Sequence, residues 1–282
     1  MKTRKLAVIF AALAFVLILI ILNSVVFTVG SIHAYCYNAN DGALNDAVVL
    51  SGGDMKGRNI FTLRVKGISA QIENDTPGVK VVNIERKFPG IVWINYVKVI
   101  PIFAFENLDG TYTTADNRLF IDKLIVDGAD IRLNATTDEV NEDPKGVLIR
   151  VKASGAPVAP HRLEPVMLPG DVQNEVLAKL ITALNRLDYR EYDFLRFISE
   201  IDITRVGTDT GKIILTMRKS DAQKEQITIE LWNSESRLLE KTQYAVTIYE
   251  MYLSGDPRIS FSAGNTIKVY EDKTKGIIYG AI

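Results

Sequence analysis

The stretch VVNIERKFPGIVWINYVKVIP, residues 81–101, decides the fold of the first part of the chain. Two runs rich in β-branched and aromatic residues flank the turn Phe88-Pro89-Gly90, and Pro101 follows the second run. Apolar and polar residues alternate along both runs, which is typical of strands that have one face covered. The stretch therefore predicts a β-hairpin packed against a core, and nothing in it indicates catalysis.

The residues before the hairpin predict one strand and two short helices. Strand-forming residues are concentrated in residues 27–35. Apolar residues spaced three and four apart predict helices around residues 44–48 and 65–72, and glycine or proline follows each of them. Residues 30–101 are therefore predicted to form one small β-α-α-β-β domain.

The N-terminal segment is strongly apolar. Residues 6–22 contain no polar side chain, and residues 6–29 are long enough for a helix to cross a bilayer core, which takes about 20 residues. Basic side chains occur within residues 1–5 and then not again before Lys56. The positive-inside rule predicts a cytoplasmic N-terminus, a single transmembrane helix over residues 6–29 and an extracytoplasmic remainder. A cleaved signal peptide is the alternative, although its apolar region is normally only about 7 to 15 residues long.

The rest of the chain predicts a second, larger domain. Residues 102–265 contain short strand-like runs separated by turns, together with apolar stripes that predict helices over residues 171–187 and 237–253. Residues 266–282 predict two terminal strands around a charged turn. The expected fold class is α+β: a transmembrane helix, the β-α-α-β-β domain, and an antiparallel β-rich domain with flanking helices.

Composition and motifs argue against nucleic-acid binding, metal binding and catalysis. The formal net charge is -1 and no basic stripe is present, so a nucleic-acid partner is not expected. Cys36 is the single cysteine, and His33 and His161 do not have the spacing of metal ligands. No phosphate-binding loop, zinc-protease motif or nucleophile elbow occurs. The sequence therefore predicts no catalytic residue, metal or cofactor, and a protein that is not an enzyme.

The order of the predicted elements is that of a POTRA domain, and spaced residues along the hairpin sharpen the likeness. The chain resembles the FtsQ/DivIB family of bacterial cell-division proteins, in which a POTRA domain precedes a β-domain. The family usually has a glutamate where Lys98 stands in this chain. The residues that carry the resemblance in the hairpin region are Pro77, Val79, Ile84, Arg86, Pro89, Ile94 and Pro101.

The resemblance implies a non-catalytic, bitopic membrane scaffold of the divisome. Such a protein docks other division proteins and thereby localises and regulates septal peptidoglycan synthesis. It would be a single-pass type II protein of the cell membrane, gathered at the division septum. Its implied partners are small bitopic coiled-coil proteins of the FtsB/DivIC and FtsL type.

The resemblance also implies that the terminal strands receive the partner, because an unpaired strand at a sheet edge can accept another strand. The implied partner-binding residues are Ile267, Val269, Tyr270, Gly276, Tyr279 and Gly280. Other functions stay open. They are a POTRA-containing, membrane-anchored export or assembly factor and a sporulation factor with the same layout. An anchored cell-wall enzyme would need a clustered acid, base or nucleophile, and none is visible in the sequence.

Overall fold

The chain forms two compact units, Met1–Val99 and Ile100–Ile282. Each unit combines helices with one β-sheet, so the fold class is α+β. The computed structural model describes residues 10–18, 26–76, 78–158, 161–187, 196–220, 225–259 and 265–281.

The first unit has the element order strand, helix, helix, strand, strand. Its three-stranded sheet has the strand order β1-β3-β2, with β1 parallel and β2 antiparallel to β3. The two helices pack against the sheet through a buried apolar cluster. The elements are β1 (Ser31–Cys36), α1 (Gly42–Ser51), a 3-10 turn (Gly52–Met55), α2 (Val65–Asp75), β2 (Val79–Lys87) and β3 (Ile91–Lys98).

The turn of the β2–β3 hairpin touches the chain segment that leads into β1. The carbonyl oxygen of Gly90 accepts hydrogen bonds from Gly30 N at 2.8 Å and from Ser31 N at 3.3 Å. A Cβ atom at Gly90 would lie 2.3 Å from the carbonyl oxygen of Thr28. Because a backbone atom cannot move aside cheaply, this position requires glycine.

We expect Gly90→Ala to lower the free energy of unfolding by about 2 kcal/mol or more, because the added methyl group overpacks a backbone contact. Urea denaturation of the full chain measures the loss. Gly53→Ala is the matched control, since no atom lies within 4 Å of a Cβ at Gly53. Equal unfolding midpoints for the two variants would contradict this explanation.

Lys98 joins the end of β3 to the start of α1. Its Nζ lies 3.1 Å from Asp41 Oδ2, and Asp41 is the N-cap of α1, accepting a hydrogen bond from Leu44 N at 3.1 Å. The pKa of Asp41 is lowered, first by the bond from Leu44 N and then by Lys98. The Asn38 side chain also bonds both backbone groups of Lys98 at 2.8 Å. A lysine therefore has a clear role at this position, because its charge pairs with a helix cap.

The predicted transmembrane helix over residues 6–29 is corrected by the structure. Among the described residues, no helix is both long and apolar enough to cross a membrane. Residues 10–18 are helical. Residues 27–29 instead bond to residues 57–60 of the first unit. Residues 6–9 and 19–25 lie outside the described part. The predicted location, as a single-pass protein of the cell membrane at the septum, depended on this helix and is therefore not supported either.

The second unit is built on a nine-stranded sheet with the strand order β12-β11-β10-β9-β8-β7-β4-β5-β6. Its strands are β4 (Phe103–Glu106), β5 (Tyr112–Ala115), β6 (Ile121–Val126), β7 (Ile149–Lys152), β8 (Ile198–Asp202), β9 (Ile213–Met217), β10 (Thr228–Leu231), β11 (Thr266–Asp272) and β12 (Gly276–Ala281). Its helices are α3 (Thr137–Glu142), α4 (Asp171–Leu187) and α5 (Leu238–Leu253).

The prediction that this sheet is antiparallel was wrong. Strands β4 and β7, β7 and β8, and β10 and β11 pair in parallel, so the sheet is mixed. Parallel neighbours need a long crossover connection, usually a helix. Helix α4 joins β7 to β8 and helix α5 joins β10 to β11. The two helices are therefore crossovers as well as cover for the sheet.

A buried arginine ties the sheet of the second unit to the segment around α3. Arg218 follows β9, and its side chain donates to the carbonyl oxygens of Leu133, Ala135 and Leu148 at 3.3, 2.9 and 3.1 Å. The Tyr249 hydroxyl on α5 donates to the carbonyl oxygen of Arg218. Burial lowers the pKa of Arg218 to about 10, so the guanidinium remains charged at neutral pH.

Candidate functional site

The predicted partner-binding residues come together in one hairpin at the end of the nine-stranded sheet. Strand β12 is the last strand of the sheet and pairs antiparallel with β11. The cross-strand pairs that contain predicted residues are Ile267↔Ala281, Lys268↔Gly280, Val269↔Tyr279, Tyr270↔Ile278 and Asp272↔Gly276. The hairpin therefore presents all six predicted positions, although not all six reach the surface.

The six positions have different environments. Ile267 and Val269 belong to the core and are no more than 1% exposed, so their side chains are not available to a partner. Tyr270 and Tyr279 are 38% and 37% exposed. Tyr279 shares a face with Val269, whereas Tyr270 lies on the opposite face, because opposite residues of a strand pair share a face and successive residues alternate.

The turn between β11 and β12 is held by Asp272. Its Oδ1 accepts hydrogen bonds from Thr274 N at 2.8 Å, Thr274 Oγ1 at 2.6 Å and Lys275 N at 2.9 Å. These bonds lower the pKa of Asp272. Gly276 follows with a φ of +77°, a value that favours glycine. Gly276 is therefore a turn residue that fixes the register of β12.

The hydrogen bonds between β10 and β11 show which backbone groups of β11 face β12. Trp232 N donates to Val269 O at 2.9 Å, and Thr228 N donates to Asn265 O at 3.0 Å. In a parallel pair the residues of a strand bond alternately to the two sides. The odd-numbered residues of β11 thus bond to β10, and the even-numbered residues bond to β12.

The same alternation shows which backbone groups of β12 point outward, away from β11. Ile278 and Gly280 are paired with even-numbered residues of β11, so their backbone groups point into the sheet. In the part of the chain that the structure describes, no strand pairs with the other side of β12. The residues whose N–H and C=O groups point outward are Ile277, Tyr279 and Ala281.

The opposite end of the nine-stranded sheet is covered at the start of β6. Ile121 N of β6 donates to Glu164 O at 2.9 Å, and Leu163 N donates to Ile121 O at 2.8 Å. Arg162 Nε lies 3.2 Å from the carbonyl oxygen of Asp122. The segment of residues 162–166 thus bonds to the start of β6, which protects this part of the edge from further pairing.

Asp122 on β6 gives a pH-dependent prediction. Burial raises the pKa of the Asp122 carboxyl, so the folded state holds this proton more tightly than the unfolded state does. The contribution of Asp122 to stability therefore falls as the pH rises through its two pKa values. We expect Asp122→Asn to melt at a higher temperature than the natural chain at pH 7, with the difference vanishing near pH 3.

Asp109 is the control for this prediction, because hydrogen bonds from Thr111 lower the pKa of its carboxyl. Asp109→Asn should therefore have the opposite sign, with a lower melting temperature at pH 7 and no difference in strong acid. A lower melting temperature for Asp122→Asn at pH 7 would contradict the assignment of a destabilising buried carboxylate.

The two edges of the three-stranded sheet also differ in how well they are protected from pairing with a further strand. Strand β2 has a register shift between Val81 and Asn83, and Val81 N donates to Glu73 Oε1 at 2.9 Å. Its sequence VKVVNIERK also carries charges, and both devices discourage edge pairing. Strand β1, with the sequence SIHAYC, and strand β12, with the sequence GIIYGA, contain no Asp, Glu, Lys or Arg. These two edges lack such protection.

The residues that carry the resemblance are mostly structural. Arg86 donates to Leu63 O at 2.8 Å and so ties β2 to the entry of α2. Pro89 is exposed at the hairpin turn, Pro101 is half-buried after β3, and Pro77 lies outside the described residues. The side chains that belong to the core of the first unit are Val79, Ile84 and Ile94.

No protein-family model and no curated protein matches the chain. The likeness to the FtsQ/DivIB family therefore stays a prediction from the residues quoted above. Within the described ranges, no group of three or more His, Cys, Asp or Glu side chains is placed to hold a metal ion. The feature best suited to a function is the uncharged outer edge of β12.

Proposed function

We propose that the chain is a non-catalytic docking protein that captures an extended segment of a partner along β12. The outer edge of β12 is uncharged, and no strand of the described residues pairs with it; this is the observation that carries the proposal. In strand addition, backbone hydrogen bonds supply affinity and alternate side chains supply specificity. Ile277, Tyr279 and Ala281 offer the backbone groups, and the turn at Asp272 holds them in register.

The two faces of this edge favour an apolar partner segment. Tyr279 leaves a partly exposed ring on the face that it shares with buried Val269. On the opposite face nothing lies within 4 Å of a Cβ at Gly280, so a bulky side chain of the partner fits above it. Aromatic side chains next to edge glycines stabilise strand pairs. We therefore propose a partner strand with an aromatic or large aliphatic residue opposite Gly280.

The resemblance to the FtsQ/DivIB family suggests the biological partner. We propose that the captured segment belongs to a division protein of the FtsB/DivIC or FtsL type. The chain would then act as a scaffold in the control of septal peptidoglycan synthesis. This role needs no reacting group, because holding partners at one place raises their effective concentration toward each other.

Amide hydrogen exchange tests the proposal on the full chain. The probe is the soluble segment of a small coiled-coil division protein of the FtsB/DivIC type. Binding should slow exchange at the amides of Ile277, Tyr279 and Ala281, while Ile278 and Gly280, which already bond to β11, change little. Equal exchange at all five amides with and without the probe would refute docking at this edge.

A further inference from the structure

We propose that two copies of the chain pair through β1, so that their two three-stranded sheets join into one continuous sheet. In the described part of the chain, no strand pairs with the side of β1 that faces away from β3. This edge lies in the first unit, and its pairing does not depend on the capture proposed for β12.

The backbone contacts of β1 show which of its groups are open. Ser31 N donates to Gly90 O at 3.3 Å, and Tyr37 N donates to Tyr96 O at 2.9 Å. In a parallel pair bonding alternates along the strand, so the odd-numbered residues of β1 bond to β3. The residues whose N–H and C=O groups point away from the sheet are Ile32, Ala34 and Cys36.

The open stretch is limited at its N-terminal end. Val29 N donates to Arg58 O at 2.9 Å, and Val29 O accepts a hydrogen bond from Gly57 N at 3.0 Å. The chain just before β1 is thus already paired with the first unit. A partner strand has only the six residues of β1 to bind.

This short edge is complementary to a second copy of itself. In an antiparallel alignment with Ala34 opposite Ala34, Ile32 lies opposite Cys36 of the second copy, and each pair exchanges both backbone hydrogen bonds. The alignment uses every outward-facing residue of β1. It also sets a large side chain against a small one on the covered face, where Ile32 and Cys36 are buried.

The exposed face of the same alignment pairs aromatic rings. His33 lies opposite Tyr35 of the second copy, in the closely spaced kind of pair that favours ring contacts. Within one copy, His33 already stacks on Trp93 with ring centroids 4.9 Å apart, and Tyr35 contacts Tyr37 at 5.4 Å. Tyr35 is 51% exposed, so the pairing would cover a ring that the single chain leaves open.

A second copy fits this edge better than an unrelated strand for two reasons. The sequence SIHAYC contains no Asp, Glu, Lys or Arg, so two copies meet without repulsion between such side chains. In a pair related by two-fold symmetry, the β1 edge of each copy binds the β1 edge of the other. No β1 edge is then left open, so association stops at a dimer. The contact is smaller than the roughly 800 Å² per partner of a standard interface, so the dimer should be weak and depend on concentration.

The test is sedimentation of the full chain over a range of concentrations. We expect a monomer–dimer equilibrium that Tyr35→Lys weakens by roughly tenfold, because the ring pair occurs twice in each dimer. Tyr244→Lys is the control, since Tyr244 is also an exposed tyrosine, at 40%, but lies on α5 in the second unit. It should leave the equilibrium unchanged.

Hydrogen exchange separates this proposal from docking at β12. Raising the concentration of the full chain should slow exchange at Ile32, Ala34 and Cys36, and not at Tyr279. A chain that stays monomeric, or whose association survives Tyr35→Lys, would overturn the proposal. So would association that is lost in Tyr279→Pro, or β1 amides that become protected only when another protein is added.

Discussion

The Tyr279→Pro variant should lose partner capture by a factor of roughly 30 or more, while the chain remains folded. The N–H of Tyr279 points away from β11, so proline at this position removes a donor that only an incoming strand would use. The ring of Tyr279 is lost as well, and loss of an interface anchor typically costs a factor of this size. Calorimetric titration with the soluble segment of an FtsB/DivIC-type protein measures the affinity.

Two comparison variants separate the backbone donor from the ring. Tyr279→Ala keeps the outward N–H and should bind with an affinity between those of the natural chain and the proline variant. Removal of residues 276–282 should abolish binding, because the whole docking strand is then absent. If Tyr279→Pro binds the probe as tightly as the natural chain and unfolds at the same temperature, β12 is not the docking edge.

Arg218→Met should cause the largest loss of stability, about 3 to 5 kcal/mol in the free energy of unfolding. The substitution removes a buried charge together with its hydrogen bonds, and it leaves the carbonyl oxygens of Leu133, Ala135 and Leu148 without those donors. Buried acceptors that lose their partners bear the full cost of desolvation. Urea denaturation followed by circular dichroism measures the change.

Arg258→Met is the matched control for this substitution. The Arg258 side chain is 72% exposed and pairs with Asp256 at the surface, so its removal should leave the unfolding midpoint almost unchanged. A loss below about 1 kcal/mol for Arg218→Met would show that the segment around α3 is held by its apolar contacts and not by the arginine.

Local patterns in the sequence predicted the elements well. Helices expected over residues 171–187 and 237–253 are found at Asp171–Leu187 and Leu238–Leu253, because an apolar stripe is a property of the segment itself. The hairpin of β2 and β3 was equally clear from its alternation and its Pro-Gly turn. Lys98 could not be explained from sequence, because its partner Asp41 lies far away along the chain.

The sequence did not reveal whether neighbouring strands pair in parallel or antiparallel. The alternation in β7 is the same whether its neighbours run parallel or antiparallel, so the mixed sheet could not be distinguished from the antiparallel one that we expected. The direction of a pair depends on the path of the connecting helix, which is decided by packing across the whole unit.

Only part of the candidate site was predicted, because strand pairing could not be predicted from the sequence. Tyr270 and Tyr279 were expected at the terminal hairpin and are exposed there, whereas Ile267 and Val269 are core residues. The outward backbone groups of Ile277 and Ala281 were missed. No property of these side chains reveals them, because the direction of an N–H group is fixed by the bonding phase of the neighbouring strand.

The segment that bonds to the start of β6 also bears on stoichiometry. Since residues 162–166 already occupy the start of this edge, the β12 end is the more open place for the nine-stranded sheet to lengthen among the described residues. That end accepts a single strand, which then lies between β12 and solvent. Titration of the chain with a partner segment should therefore saturate at one segment per chain.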